Sequence, residues 1–243
     1  MPKRPPEKPL ETTIDLGDRT APLVARINRR ARRLIVTVDG VCGRVIVTAP
    51  SRRALPEAID FAKTRTRWIA AQLVESGGAK PFCDGLVIPF RGAPTCIEHA
   101  GGPRAGVRFE SGKIIAGGDE AHLNRRITDW LKSEARRVLT ERADHYAGEL
   151  GRKRGSITIR DTRSRWGSCA RDGSLSFSWR LILAPPEILD YVAAHECAHL
   201  VHLNHSPAYW RTLRNLGIDS RTARAWFAEN GKDLYAYGAV KAA

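Results

Sequence analysis

The stretch His195-Glu196-Cys197-Ala198-His199-Leu200-Val201-His202-Leu203-Asn204-His205 holds four of the chain's seven histidines. On an α-helix, positions 195 and 199 differ by about 40° around the axis and about 6 Å along it, so both imidazoles project from one face toward a common point. Two nitrogens about 2 Å from one Zn²⁺ fit that point. Glu196 flanks the pair one step around the helix, where a carboxylate can take a proton from a water held beside the ion. Upstream, Ile188, Leu189, Val192 and Ala193 supply an apolar helix face, and Pro185-Pro186 opens the helix at the position where proline is best tolerated.

A third ligand has four candidates. His202 shares the ligand face but sits about 10.5 Å along the axis from His195, too far for easy joint ligation. His205 comes within reach if the helix stops near Leu203 and Asn204 reverses the chain in a left-handed conformation, and Ser206-Pro207 supports that stop. Asp219 and Glu229 lie 20 and 30 residues beyond His199 as carboxylate alternatives. His205 is preferred, Glu229 comes next, and His202 is expected to face solvent or support another ligand. The spacing to His205 matches the metzincin pattern HExxHxxGxxH, but His202 stands where that pattern needs glycine. The only methionine is Met1, so the downstream methionine of metzincins is missing as well.

Working outward, the 243 residues carry 40 Lys and Arg against 26 Asp and Glu, a formal charge of +14. A hydrophobic share of 42% is that of a folded globular protein and excludes disorder, collagen and coiled coil. Apolar runs reach only four or five residues where a membrane span needs about 20, so no membrane partner is expected. Met1 to Thr13 is charged and proline-rich without an apolar core, which makes the cytoplasm the expected location. The five cysteines, Cys42, Cys83, Cys96, Cys169 and Cys197, include no CxxC pair and read as reduced thiols. The positive charge is spread along the chain, +7 in residues 1–120 and +7 in the rest, which suits a solvated basic surface as well as a polyanion partner.

Three segments are expected. Residues 1–20 read as a flexible leader. Residues 21–117 read as a strand-rich domain with one helix from about Pro56 to Val74, punctuated by Asp39-Gly40 and closed by Gly117-Gly118. Residues 118–243 begin with a long helix from about Ala121 to Leu150, continue through a short strand at Ile157 to Arg160, and then alternate apolar and polar side chains from Leu175 to Leu183 as a strand with one buried face. No internal repeat is visible. The fold class is α+β.

The runs Ser164-Arg165-Trp166-Gly167-Ser168-Cys169, Leu183-Ala184-Pro185, Asp190-Tyr191-Val192, His195-Glu196-Cys197-Ala198-His199-Leu200 and Asn204-His205-Ser206-Pro207-Ala208-Tyr209-Trp210 resemble the YgjP-like metallopeptidase family, related to the SprT and WLM zinc peptidases. The likeness spans about Ala121 to Gly231, and the part around Trp68-Ile69 looks like that family's N-terminal region. The resemblance implies a zincin-like C-terminal domain with a small sheet and a metal-binding active-site helix. It implies His195, His199 and His205 as ligands of one Zn²⁺, or another divalent transition metal, and Glu196 as the catalytic carboxylate.

Other residues carry weaker expectations. The strand at 174–183 either lines the cleft by pairing with an extended substrate or is plain core. Arg165 either holds a substrate carboxylate, phosphate or oxyanion or makes a structural ion pair. Tyr209 is expected to pack on the metal helix, with donation to a tetrahedral intermediate as its functional alternative. Together these point to a zinc-dependent hydrolase acting on protein or peptide through a Glu-activated water. One alternative is hydrolysis of a nucleotide phosphoanhydride. Another is a peptidase working at nucleic acid, with Arg29, Arg30, Arg32 and Arg33 in a basic N-terminal module.

Overall fold

The computed structural model describes residues 9–75, 78–102 and 106–240. The chain divides into two compact units, residues 1–80 with 239–243, and residues 81–238.

In the first unit, strands β1 (Leu10–Asp15), β2 (Thr20–Ile27), β3 (Ile35–Asp39) and β4 (Arg44–Ala49) form one sheet in the order β1-β2-β4-β3. The two outer pairs are antiparallel and β2 runs parallel to β4. Alternation along β2 and β4 turns Leu23, Ala25, Val45 and Val47 inward, where Ala58, Ala62 and Ile69 of two helices cover them. Those helices, α1 (Leu55–Lys63) and α2 (Thr66–Glu75), replace the single helix expected from Pro56 to Val74. Between them the chain tightens, with Arg65 N–H on the Ala62 carbonyl and the Thr64 hydroxyl on the Phe61 carbonyl. The expected leader is a strand over residues 10–15, fully paired to β2, because Ile14 has an inward position to fill. Residues 1–8 lie outside the described part.

In the second unit, β5 (Val87–Phe90), β6 (Ala93–Gly101), β7 (Val107–Glu110) and β8 (Lys113–Gly117) build a sheet in the order β5-β6-β8-β7, again with a parallel pair at the centre. The two four-stranded sheets thus share one topology that no sequence repeat announces. A 27-residue helix, α3 (Leu123–Glu149), follows. Its buried residues Leu123, Ile127, Leu131, Ala135, Leu139 and Ala143 recur every four positions, the stripe of a helix laid along a core. Ile88, Phe90, Ile97 and Ile114 of the sheet belong to the same core as that stripe. Gly117-Gly118 is therefore a turn inside the second unit, and the break between compact units falls at Lys80/Pro81 instead.

A second sheet of this unit has the order β10-β11-β9, from β9 (Ile157–Arg160), β10 (Gly167–Cys169) and β11 (Leu175–Ser178). The strand expected to run to Leu183 stops at Ser178, whose hydroxyl accepts the Arg180 N–H and starts a 3₁₀ turn over Trp179–Leu183. The alternation fails there because all five residues of the turn are buried. Arg180 is held inside by Asp161 and by the carbonyls of Leu234 and Tyr237. Helices α4 (Pro186–Ala198), α5 (Pro207–Asn215) and α6 (Ser220–Asn230) complete the unit.

Candidate metal centre

The histidine-rich stretch lies on α4 and the reversal after it. Pro186 occupies the first turn of α4, and Ile188, Leu189, Val192, Ala193, Cys197 and Ala198 bury its apolar side. The helix ends at Ala198, a turn earlier than expected. The N–H groups of Leu200, Val201 and His202 bond back to Cys197 and Ala198, closing a tightened last turn. His199 keeps helical dihedrals (φ −69°, ψ −13°), so the i, i+4 geometry with His195 survives. The reversal uses no left-handed Asn204, since among described residues other than glycine only Arg91 and Ser111 have positive φ.

Ser206 caps α5 by accepting the Tyr209 N–H, and Pro207 follows at the first helical position. This turn brings His205 back over α4. The rings of His195, His199 and His205 lie with centroids 5.2, 5.1 and 4.8 Å apart. The Nε2 atoms of His195 and His205 face each other at 3.2 Å. Imidazoles bound about 2.05 Å from one tetrahedral ion would place their nitrogens about 3.3 Å apart and their ring centres about 5.1 Å apart. The three residues therefore fit one ion, and among the described residues they are the group of potential ligands that converges this way. Asp219 caps α6 through its bonds to Arg221 and Thr222, and neither it nor Glu229 joins the group.

The surroundings hold the rings in ligand form. His199 Nδ1 is 2.9 Å from the His202 carbonyl; a proton there leaves Nε2 for the ion. His202 is thus a support, and its own ring bonds the Thr212 hydroxyl. Burial, reinforced by the two neighbouring histidines, pushes the His195 pKa down to about 4, which keeps its lone pairs free at neutral pH. The buried His195 Nδ1 has no hydrogen-bond partner among the described residues. Trp210 donates to the His205 carbonyl at 3.1 Å and stacks on its ring. Tyr209 is fully buried and donates its hydroxyl to the His195 carbonyl at 3.0 Å, so it braces the metal helix and does not face a substrate.

Glu196 is 6% exposed. Burial raises its pKa to about 7, against the opposing pull of Arg165 and of a hydrogen bond from the Cys169 backbone N–H. The run Arg165 to Cys169 builds its other wall. Trp166 is clamped between Phe227 and Tyr235, each stacked with centroids 4.9 Å away. That clamp delivers β10 to the carboxylate. A Cβ on Gly167 would lie 2.6 Å from Glu196 Oε1 and 2.7 Å from its Cγ, so only glycine leaves the side chain its place. Gly167 and the Cys169 N–H went unnoticed as functional groups in the sequence, although the motif containing them stood out.

Strand β11 has partners on both sides and offers no free edge, so of the two readings of residues 174–183 the core strand stands and the substrate-pairing one does not. The free edge belongs to β10. Trp166 and Ala170 bond inward to Ser178 and Ser174, so the alternate residues Gly167 and Cys169 turn their main-chain groups outward, toward Glu196. Arg165 is exposed, and its guanidinium makes no hydrogen bond or ion pair among the described residues. With Arg160, Thr158, Ser168 and Ser176 it lines a polar cavity of about 400 Å³.

Three imidazoles converging from an HExxH helix and its return, with a buried carboxylate at their side, define the class as a metal-dependent peptidase. The model of the YgjP-like metallopeptidase domain matches residues 32–230, and the chain belongs to that family. A search of curated proteins finds no match. Among solved structures, the chain is similar to the metallopeptidase zymogen abylysin of Pyrococcus abyssi, at 20% identity over 39% of this chain and 93% of that one, with a TM-score of 0.34.

Proposed function

We propose that the chain is a zinc-dependent peptidase in which His195, His199 and His205 hold one Zn²⁺, or another divalent transition ion, and Glu196 carries the proton. The observation behind this reading is the convergence of three imidazoles beside a buried carboxylate whose pKa is pushed up to about 7. A bound ion would polarise the scissile carbonyl and acidify a water from its free value of about 15.7 toward 7. Glu196 stands beside that site, where its carboxylate would accept a proton during attack and return it to the leaving amine. The Cys169 N–H and the clearance at Gly167 aim the carboxylate.

Substrate main chain would pair with the outward groups of β10 other than the Cys169 N–H, which Glu196 engages, a mode that recognises peptide and not nucleotide. Arg165 would meet negative charge developing on the carbonyl oxygen. The family supports a protein or peptide substrate, and neither a nucleotide nor a nucleic acid draws support from it. No helix among the described residues is long and apolar enough to cross a membrane. The cysteines form no disulfide among the described residues, which suits a reducing cytoplasm.

The test is a trio of proteins assayed for bound metal and for hydrolysis of unfolded protein. The parent should bind one equivalent of metal and cleave. Glu196→Gln should bind one equivalent and lose activity by about 10²–10⁴-fold, the range for a positioned acid-base group. His195→Ala should lose both. An active Glu196→Gln protein would refute the role given to the carboxylate.

A further inference from the structure

A cavity of about 530 Å³ opens between α5 and α6, lined by Trp210, Arg214, Ser220, Arg221, Arg224 and Ala225. It contains three arginines and no acidic side chain. All three are exposed, and none of their guanidinium groups makes a hydrogen bond or close ion pair among the described residues. Asp219 acts on Arg221 through space, but its oxygens are engaged by the Arg221 and Thr222 N–H groups and the Thr222 hydroxyl. The less exposed arginines Arg142, Arg154 and Arg180 of the same unit are paired, with Asp190, Asp144 and Asp161 respectively. Three like charges turned into one concavity repel each other, an arrangement that an arriving anion relieves.

The position of the cavity ties it to the metal centre. Its Trp210 wall stacks on His205, and Arg224 acts electrostatically on Tyr191, whose ring lies 5.6 Å from that of His195. An anion in the cavity therefore lies against the Trp210 indole that forms part of the wall of the histidine triad.

We propose that this cavity is a specificity subsite that selects peptides carrying a carboxylate, from an acidic side chain or a free C-terminus, near the bond to be cleaved. The proposal rests on the peptidase reading. Planar guanidinium groups suit carboxylates through paired N–H donors, and the flat face of Trp210 gives the aliphatic part of a Glu side chain a surface to cover. A phosphate polymer is the competing occupant. A peptide is favoured because the cavity shares the Trp210 indole with the wall of the histidine triad, where the peptidase reading places the peptide to be cleaved.

The experiment measures binding separately from cleavage. Glu196→Gln protein is titrated with labelled peptides that differ only in Glu, Gln or Lys at one scanned position, and with peptides ending in a carboxylate or an amide. At one register the Glu peptide should bind about tenfold more tightly than the Gln peptide at low salt, the scale of a partly exposed charge-assisted contact. In Arg214→Gln/Arg221→Gln/Arg224→Gln that ratio should fall to about one, and in Arg214→Glu/Arg224→Glu the Lys peptide should become the preferred one. The same arginine replacements in the active parent should raise KM for the Glu peptide with little change in kcat. Equal binding of Glu and Gln peptides at every register, or a preference that survives the arginine replacements, overturns the proposal. So does loss of single-stranded DNA binding on those replacements with peptide selection unchanged. Failure of the parent to cleave any peptide would instead count against the peptidase reading, because the binding ratios need no turnover.

Discussion

Replacing Gly167 by alanine tests the coupling between β10 and the carboxylate of Glu196, to which the proposed function gives the proton transfer. The added methyl would lie 2.6 Å from Glu196 Oε1, 2.7 Å from Cγ and 2.9 Å from Cδ. Ordinary contacts of this type sit near 3.5 Å, so Glu196 must withdraw by roughly 0.9 Å or rotate out of its rotamer. The three histidines have supports of their own in His202, Trp210 and Tyr209. The folded state should lose about 1–3 kcal/mol, the usual cost of an extra methyl in a packed site. Activity should suffer more, since a displacement of about 1 Å at a reacting group costs about 10²-fold. The assay is kcat/KM on a peptide together with metal content and thermal unfolding on the same preparation. One equivalent of metal, a folded protein and activity lowered about 100-fold are expected. Gly167→Ala with parental activity would show that Glu196 does not act from the position described.

Trp166→Ala removes the middle ring of a three-ring stack and should cost about 3 kcal/mol, the low end for a large aromatic, read as a lowered denaturant midpoint. Its activity should fall further than its folded fraction explains, because β10 loses its anchor. Tyr209→Phe deletes only the bond to the His195 carbonyl and should cost about 1–2 kcal/mol in thermal unfolding while retaining measurable turnover. A complete loss of turnover there would restore the substrate role that burial argues against. Chelation should lower the melting temperature of the parent, and excess metal at about 100 times its Kd should restore about 2.7 kcal/mol. His205→Ala should show neither change.

The parts of the site legible in the sequence are those set by one helix. The pair His195 and His199 follows from a 3.6-residue period, and the return of His205 follows from a stop at Ser206-Pro207. What the sequence left hidden depends on side chains brought from elsewhere. Gly167 lies 29 positions before Glu196, and nothing local says that their atoms meet. Tyr209 could face in or out of the cleft until the path of α5 is known. The run from Leu175 to Leu183 reads as an alternating strand because alternation detects one buried face, whereas residues 179–183 are buried on all sides. The boundary expected at Gly117-Gly118 fails for a related reason: two glycines mark a turn, and only the shared core of β5, β6, β8 and α3 tells whether a unit ends there.

The three ligands fall within eleven residues, while the groups that aim Glu196 come from a strand far upstream whose own place depends on β11, Phe227 and Tyr235. The consequence is kinetic. Closing the short loop from His195 to His205 requires little chain entropy, whereas seating β10 requires contacts between distant segments, which form late in folding. On the proposed reading, a refolding chain would gain its grip on an ion before it gains a base to use with it, and a nascent molecule at that stage would be metal-loaded and inert toward its own unfolded segments.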